Sequence, residues 1–176
     1  TALQDTAQVL ETEALQAAVD AIANAGEVHF YGLGPSGIVA LDAEQKFCRI
    51  GLSASAFTDT HMQITRAVHL RPGDAVVCLS FSGETVAIIE AMRAAKQAGA
   101  FTIAITSHSG STLAREADVL LLTSTQENLF ESGALSSRFT QLSAIDTLFF
   151  AVALVDHSRT REAIEKTMGV LAQSSQ

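Results

Sequence analysis

Short apolar runs alternate with segments of helical periodicity along most of the chain. Strands are predicted near residue 28 and at 52–57, 74–79, 101–106 and 119–122, where Val, Ile, Leu and Phe are frequent. Most of these runs lack the polar and apolar alternation of a half-exposed strand. Continuous apolar strands are typical of parallel sheets covered on both faces. The pattern therefore predicts an α/β fold with three layers, helices on either side of a parallel sheet.

The segments between the predicted strands have the spacing of amphipathic helices. Residues 5–24 carry Leu10, Leu15, Val19 and Ile22 at helical intervals, and Asn24-Ala25-Gly26 ends that helix. Further helices are predicted at 37–49, 60–68, 84–98, near Leu113, at 136–155 and after His157.

The predicted helix at 136–155 is apolar nearly all round. Phe139, Leu142, Ile145, Leu148 and Phe149 are among its apolar residues. Such a helix is either buried in the body of the domain or packed at a subunit interface, and the pattern leaves both alternatives open.

Two turns rich in glycine and hydroxyl residues join a predicted strand to a predicted helix. The first turn is Gly32-Leu33-Gly34-Pro35-Ser36-Gly37, and the second turn is Ser80-Phe81-Ser82-Gly83-Glu84-Thr85. A helix start has backbone N–H groups without partners and the positive end of the helix dipole, so it stabilises a phosphate without a basic side chain. Glycines let the backbone approach the anion, and hydroxyls add donors. We therefore predict that both turns face one phosphate-binding crevice at the carboxyl ends of the strands.

Two other interpretations fit parts of this pattern. Gly32, Gly34 and Gly37 match the G-x-G-x-x-G fingerprint of nicotinamide dinucleotide-binding enzymes, with Asp59 near the place of the ribose-binding acid. That interpretation gives the second turn no role. Serine and glycine are also ordinary turn residues, and Ser82 could simply cap its helix. Two such turns in one sheet favour binding over capping.

Composition narrows the class of protein further. The chain has 176 residues, 48% of them hydrophobic, and is expected to form one domain over 1–176. A net charge of -8 argues against direct contact of this segment with a nucleic-acid backbone. Cys48 and Cys78 are too far apart for a C-x-x-C motif and are expected to be two buried thiols in a reducing cytoplasm. No metal site, signal peptide or membrane span is predicted.

The two turns belong to an ordered set of motifs that resembles the sugar isomerase (SIS) domain, specifically the effector-binding half of RpiR-type bacterial transcriptional regulators. The resemblance runs from about residue 5 to 156. Besides the two turns, it rests on Asp59-Thr60-His61-Met62-Gln63, Leu70-Arg71-Pro72-Gly73-Asp74, Glu131-Ser132-Gly133-Ala134-Leu135-Ser136-Ser137-Arg138 and Gln141-Leu142-Ser143-Ala144-Ile145-Asp146.

The resemblance implies a flavodoxin-like, doubly wound, five-stranded parallel sheet and a homodimer or dimer of dimers. It implies a non-catalytic sensor, without a cofactor, for a phosphorylated sugar or sugar acid. DNA would be bound only by an N-terminal helix-turn-helix domain that this sequence does not include. The ligand-binding positions implied or inferred are Gly34, Ser36, Ser80, Ser82, Gly83, Thr85, Glu131 and Arg138.

The alternative within this family is an aldose–ketose isomerase of phosphosugars. That reaction needs a base to move a proton between C1 and C2, for which Glu131 is the candidate, with His61 as an assisting group. Glu131 could instead accept a hydrogen bond from the ligand or pair with Arg138, and Arg138 could instead pair with Asp146 or reach the ligand. His61 could be merely structural.

Other charged and titratable residues receive no functional role. Lys46 and Arg49 are expected on a solvated helix face. His29, His69, His108 and His157 show no ligand spacing.

Overall fold

Helices and strands alternate along the chain as the pattern predicts. The computed structural model describes residues 10–124 and 133–174. The elements are α1 (Thr12–Ala23), β1 (Val28–Gly32), α2 (Pro35–Arg49), β2 (Ala54–Phe57), α3 (Thr60–Ala67), β3 (Ala75–Leu79), α4 (Val86–Gln97), β4 (Phe101–Thr106), α5 (Thr112–Glu116), β5 (Val119–Leu122), α6 (Gly133–Val155) and α7 (His157–Ser174).

The five strands form one parallel sheet in the order β2-β1-β3-β4-β5. Strand order reverses between β1 and β3, where Gly32 pairs with Leu79 at the carboxyl ends of the two strands. Ligands of doubly wound sheets bind at such a switch point, because the two connections leave the sheet toward opposite faces. The predicted α/β fold is confirmed.

Three helices cover one face of the sheet. Phe30 of β1 and Val77 of β3 are fully buried there against Phe47 of α2, Ile22 of α1 and Ile145 of α6. The rings of Phe30 and Phe47 lie 5.2 Å apart between their centroids. This layer includes α2, which begins in the first turn.

The other face of the sheet is covered by α3, α4 and α5. Tyr31 of β1 and Cys78 of β3 point to this side and pack with Ile88 and Met92 of α4 and Leu113 of α5. Alternate residues of β1 and β3 thus enter opposite cores, which explains why these strands carry no exposed polar positions.

Helix α6 is buried in the body of the domain along one face, the first of the two alternatives that its sequence left open. Ile145 and Leu148 are fully buried against the sheet, whereas Phe139, Phe150 and Leu154 remain 61%, 64% and 70% exposed. The segment Arg138–Val155 is long and apolar enough to cross a membrane by length and composition, the one such segment in the described ranges. Because the inner face of α6 packs on the sheet, we interpret it as a core helix with an exposed apolar face.

Some local predictions differ from the structure. Helix α1 begins at Thr12, because Glu11 has an extended backbone; residues 5–9 lie outside the described ones. Cys78 is buried as predicted, but the prediction for Cys48 was wrong. Cys48 is exposed at the end of α2, where its thiol donates to the carbonyl of Ala54 at 3.3 Å.

The prediction of a solvated face fails for Lys46 and holds for Arg49. Arg49 is exposed, whereas Lys46 is partly buried between the carboxylates of Asp42 and Asp146. Burial lowers the pKa of the Lys46 ammonium, but the hydrogen bonds that it donates to both carboxylates outweigh this effect and raise that pKa above its ordinary value. Asp146 is therefore paired with Lys46 and not, as one alternative had it, with Arg138.

Candidate anion-binding site

Both predicted turns lie at the same edge of the sheet, side by side. The first turn follows β1 and the second follows β3, and these strands pair along their full length up to Gly32 and Leu79. Since α2 and α4 cover opposite faces of the sheet, the two turns diverge, and this is the place where doubly wound sheets have their ligand crevice.

Glycines determine the shape of the first turn. Gly34 has φ +53° and precedes Pro35, the first residue of α2. A β-carbon on Gly32 would lie 2.4 Å from the carbonyl oxygen of Ser36, so only glycine allows the chain to fold back this closely. The Ser36 side chain is buried beside this contact, and neither its hydroxyl nor its amide has a partner within the described residues.

The second turn is closed by its own hydroxyl groups. The Ser80 and Thr85 hydroxyl oxygens lie 2.9 Å apart, and the Gly83 amide donates to the Ser80 hydroxyl at 3.1 Å. The Ser82 hydroxyl accepts from the Glu84 amide at 3.2 Å, inside the turn. Thr85 is the N-cap of α4 without a side-chain capping bond. Capping of α4 by Ser82, the structural alternative, is therefore wrong.

The start of α4 presents open backbone donors. Across the described part of the chain, no acceptor contacts the amides of Ser82, Thr85, Val86 and Ala87. Open amides at the positive end of a twelve-residue helix form a favourable position for a phosphate.

The remaining predicted site residues lie farther from these turns in sequence or outside the description. Arg138 is half-buried in the first half of α6, and His61 is exposed in the first turn of α3. Glu131 lies outside the described residues. The Asp59 carboxylate accepts from the Met62 amide at 2.9 Å and caps α3, so the acid of the dinucleotide interpretation has a structural role here.

Sequence reasoning missed two contributors to this edge of the sheet. The third turn, Ser107-His108-Ser109-Gly110-Ser111-Thr112, follows β4 and contacts the second turn: the His108 ring nitrogen Nδ1 lies 3.1 Å from the Phe81 carbonyl oxygen. Its strand-to-helix position and its hydroxyls were the available signal. Gln63 is fully buried and donates to the carbonyls of Gly32 and Phe57, which ties the first turn to the end of β2.

A cavity lies at the opposite edge. It has a volume of about 570 Å³ and is lined by residues before the strands and by helix ends, among them Asn24, Asp74, Lys96 and Asp118. None of the predicted site residues borders it. Within residues 10–124 and 133–174 no cluster of His, Cys, Asp and Glu could hold a metal ion.

The ordered motifs and the sheet order agree with one known domain family. Residues 21–151 match the family model of the SIS domain. The chain is a SIS domain. It is 44% identical over 171 residues to an uncharacterised HTH-type transcriptional regulator of Caldanaerobacter subterraneus subsp. tengcongensis, a match that covers 97% of this chain and 61% of that protein. The SIS domain described above thus spans about three fifths of that relative.

The fold of this SIS domain is similar to that of solved domains of transcriptional regulators. Vibrio vulnificus NanR complexed with ManNAc-6P has a TM-score of 0.90 and 26% identity, over 98% of this chain and 65% of that chain. The sugar isomerase domain of the RpiR transcription factor from Sphaerobacter thermophilus has a TM-score of 0.85 and 25% identity, over 94% and 90% of the two chains. The predicted resemblance to RpiR-type regulators is confirmed.

Proposed function

We propose that this SIS domain is the effector-sensing part of a bacterial transcriptional regulator and that it binds a phosphorylated sugar or sugar acid without converting it. The observation that carries the proposal is the second turn, where open amides at the start of α4 lie beside the Ser80 and Thr85 hydroxyls. An anion placed there gains several charge-assisted hydrogen bonds at once, which a neutral sugar cannot form.

The first turn would supply contacts to the sugar. Ser36 is a buried residue whose hydroxyl has no described partner, and Gly34, with φ +53°, leaves open space where a side chain would stand. In this proposal the phosphate binds at Ser80, Ser82, Gly83 and Thr85, while Gly34, Ser36, Glu131 and Arg138 contact the sugar.

The regulatory part of the proposal rests on the relatives. The similar curated protein is an HTH-type regulator, and the ligand named with the NanR structure is a sugar phosphate. Because this chain carries a net charge of -8, we assign DNA contact to a separate N-terminal helix-turn-helix domain of the full-length protein. The full-length protein would act in the cytoplasm as a homodimer or a dimer of dimers. A sugar phosphate can shift DNA affinity only if it binds one arrangement of the protein better than another.

Thermal unfolding of the domain against a panel of ligands tests binding. ManNAc-6P and other sugar phosphates are compared with the unphosphorylated sugars and with inorganic phosphate. A ligand that binds only the folded state raises the unfolding temperature with its concentration. Stabilisation by a sugar phosphate beyond inorganic phosphate supports the proposal. Stabilisation by no phosphorylated compound contradicts it.

Turnover separates a sensor from an isomerase. The stabilising compound is followed by NMR for aldose–ketose interconversion, with the Glu131→Gln variant as the control. A sensor leaves the compound unchanged, whereas turnover that is lost in Glu131→Gln would establish the isomerase alternative. Binding of a nicotinamide cofactor in the same unfolding assay would favour the dehydrogenase alternative.

A further inference from the structure

The carbonyl oxygen of Phe81, in the second turn, is held by three donors from the end of β4. The Thr106 hydroxyl donates to it at 2.9 Å, the Ser107 amide at 3.2 Å and the His108 ring at 3.1 Å. The Thr106 hydroxyl oxygen in turn accepts a hydrogen bond from the His108 amide at 3.3 Å. The hydroxyl proton of Thr106 is therefore free to be donated to the Phe81 carbonyl. A carbonyl oxygen with three donors is fixed in direction.

The direction of this carbonyl determines the direction of the next amide. The peptide bond between Phe81 and Ser82 is trans, since the described chain has no cis peptide bonds. In a planar trans peptide the C=O and the N–H point to opposite sides. With the Phe81 oxygen turned toward the third turn, the Ser82 N–H points away from it, and that amide is one of the open donors of the site.

We infer that Thr106 and His108 are positioning residues for the phosphate: they hold the Phe81–Ser82 peptide so that the Ser82 amide stays available as a donor. The inference rests on the proposed function, because it concerns the same site. Neither residue contacts the anion in this scheme. Their contribution is to fix a backbone donor before the ligand arrives, which removes part of the ordering cost of binding.

Further contacts extend this support along the second turn. The Gly83 carbonyl accepts from the Leu113 amide at 3.0 Å, and the Glu84 carboxylate accepts from the Thr112 amide at 2.7 Å. The hydrogen bond from the Thr112 backbone lowers the pKa of Glu84, so this carboxylate stays ionised near neutral pH. The second turn is therefore attached to the third turn on both sides of Gly83.

The chemistry of His108 permits a specific substitution test. Because a carbonyl oxygen only accepts, His108 carries its proton on Nδ1, and protonation of the other nitrogen leaves this bond in place. The Asn side chain has an amide nitrogen at the position of Nδ1, one bond from Cγ. His108→Asn should therefore keep the donor, and His108→Ala removes it. His108 is exposed, and its ring packs edge-on to Phe81 at 5.4 Å between centroids.

The test is a titration of the domain with inorganic phosphate, followed by the NMR signals of the Ser82 and Gly83 amides. The proteins compared are wild type, Thr106→Val, His108→Ala, His108→Asn and Ser109→Ala, an exposed residue of the same turn without a described partner. We expect Thr106→Val and His108→Ala each to weaken phosphate binding about three- to tenfold, because the ligand must then order the Phe81–Ser82 peptide as it binds. His108→Asn and Ser109→Ala should bind as wild type does.

Each outcome separates the two proposals. Equal phosphate affinity in wild type, Thr106→Val and His108→Ala overturns the positioning role and leaves the proposed function intact. Weakening in His108→Ala without recovery in His108→Asn also overturns it, since the donor would then not be the cause. Absence of saturable shifts at Ser82 in the wild-type domain overturns both. The unfolding temperature of the ligand-free His108→Ala variant should fall only slightly below that of wild type, because the side chain is exposed and loses one hydrogen bond.

Discussion

The hydroxyl oxygens of Ser80 and Thr85 lie 2.9 Å apart and join the first and last residues of the second turn. Without a ligand each hydroxyl already has a hydrogen-bond partner, so the turn keeps its shape in the free domain. A phosphate that enters replaces this neutral bond by charge-assisted ones, which are about twice as strong. The two hydroxyls thus hold the turn in shape before the ligand binds and can turn to donate to the anion when it does.

Removal of the serine hydroxyls should weaken binding of the sugar phosphate strongly. The Ser80→Ala, Ser82→Ala double variant loses two donors to a charged ligand, at a cost of about 3 kcal/mol or more, or over a hundredfold in the dissociation constant. Calorimetric titration measures it, with Ser109→Ala as the matched control. A double variant that binds with wild-type affinity would show that the phosphate lies elsewhere.

Substitution of Gly83 should destabilise the domain as well as the site. Its φ is +66°, and an added β-carbon would lie 2.1 Å from the Ser111 hydroxyl oxygen. We expect Gly83→Ala to lower the free energy of unfolding by more than about 2 kcal/mol, from backbone strain and overlap together. Gly110→Ala, where no atom lies within 4 Å of the added carbon, is the control in denaturant unfolding and should be nearly neutral.

Acid should destabilise the fold through His29. Burial lowers the pKa of this imidazole below its ordinary value of 6.5, even though the hydrogen bond to Glu27 opposes the shift. The unfolded chain then binds a proton more readily than the folded one, so stability falls as the pH drops below about 6.5. In unfolding experiments from about pH 7 to about pH 5, His29→Gln should flatten this dependence. His69→Gln, at an exposed position, should retain it.

The ion pairs of Lys46 should contribute modestly to stability. Lys46→Met leaves the carboxylates of Asp42 and Asp146 without their shared cation, and both are partly exposed. We expect a loss of about 1 kcal/mol in the free energy of unfolding, reduced at high salt. Arg49→Met, at an exposed position of the same helix, should change the stability little. If the stability lost in Lys46→Met does not depend on salt, the loss comes from packing of the Lys46 side chain and not from its ion pairs.

The fold and both turns were predictable because they depend on local patterns. Continuous apolar runs at β3 and β4 distinguish buried parallel strands, and the glycines of the first turn indicate a tight strand-to-helix connection. The three-layer arrangement follows from these signals, since each covered strand needs a helix on both sides.

The contacts that could not be predicted join residues far apart in the chain. Thr106 lies 25 residues from Phe81, and Lys46 lies 100 residues from Asp146, so no local period relates them. Cys48 shows a different limit. Its burial was predicted from the general tendency of cysteine to be buried. The periodicity of α2 was the better signal, because the buried face of that helix includes Ala43 and Phe47 and does not include Cys48.

The close approach of Gly83 to Ser111 provides a rule for reading other sequences. Serines and threonines alone are common between a strand and a helix, so their presence says little about the shape of the loop. A loop of this shape requires glycine at its centre and a small residue opposite, because a side chain at either place would occupy the same space. A related chain that has lost that glycine has therefore changed the loop, even where every hydroxyl residue is retained.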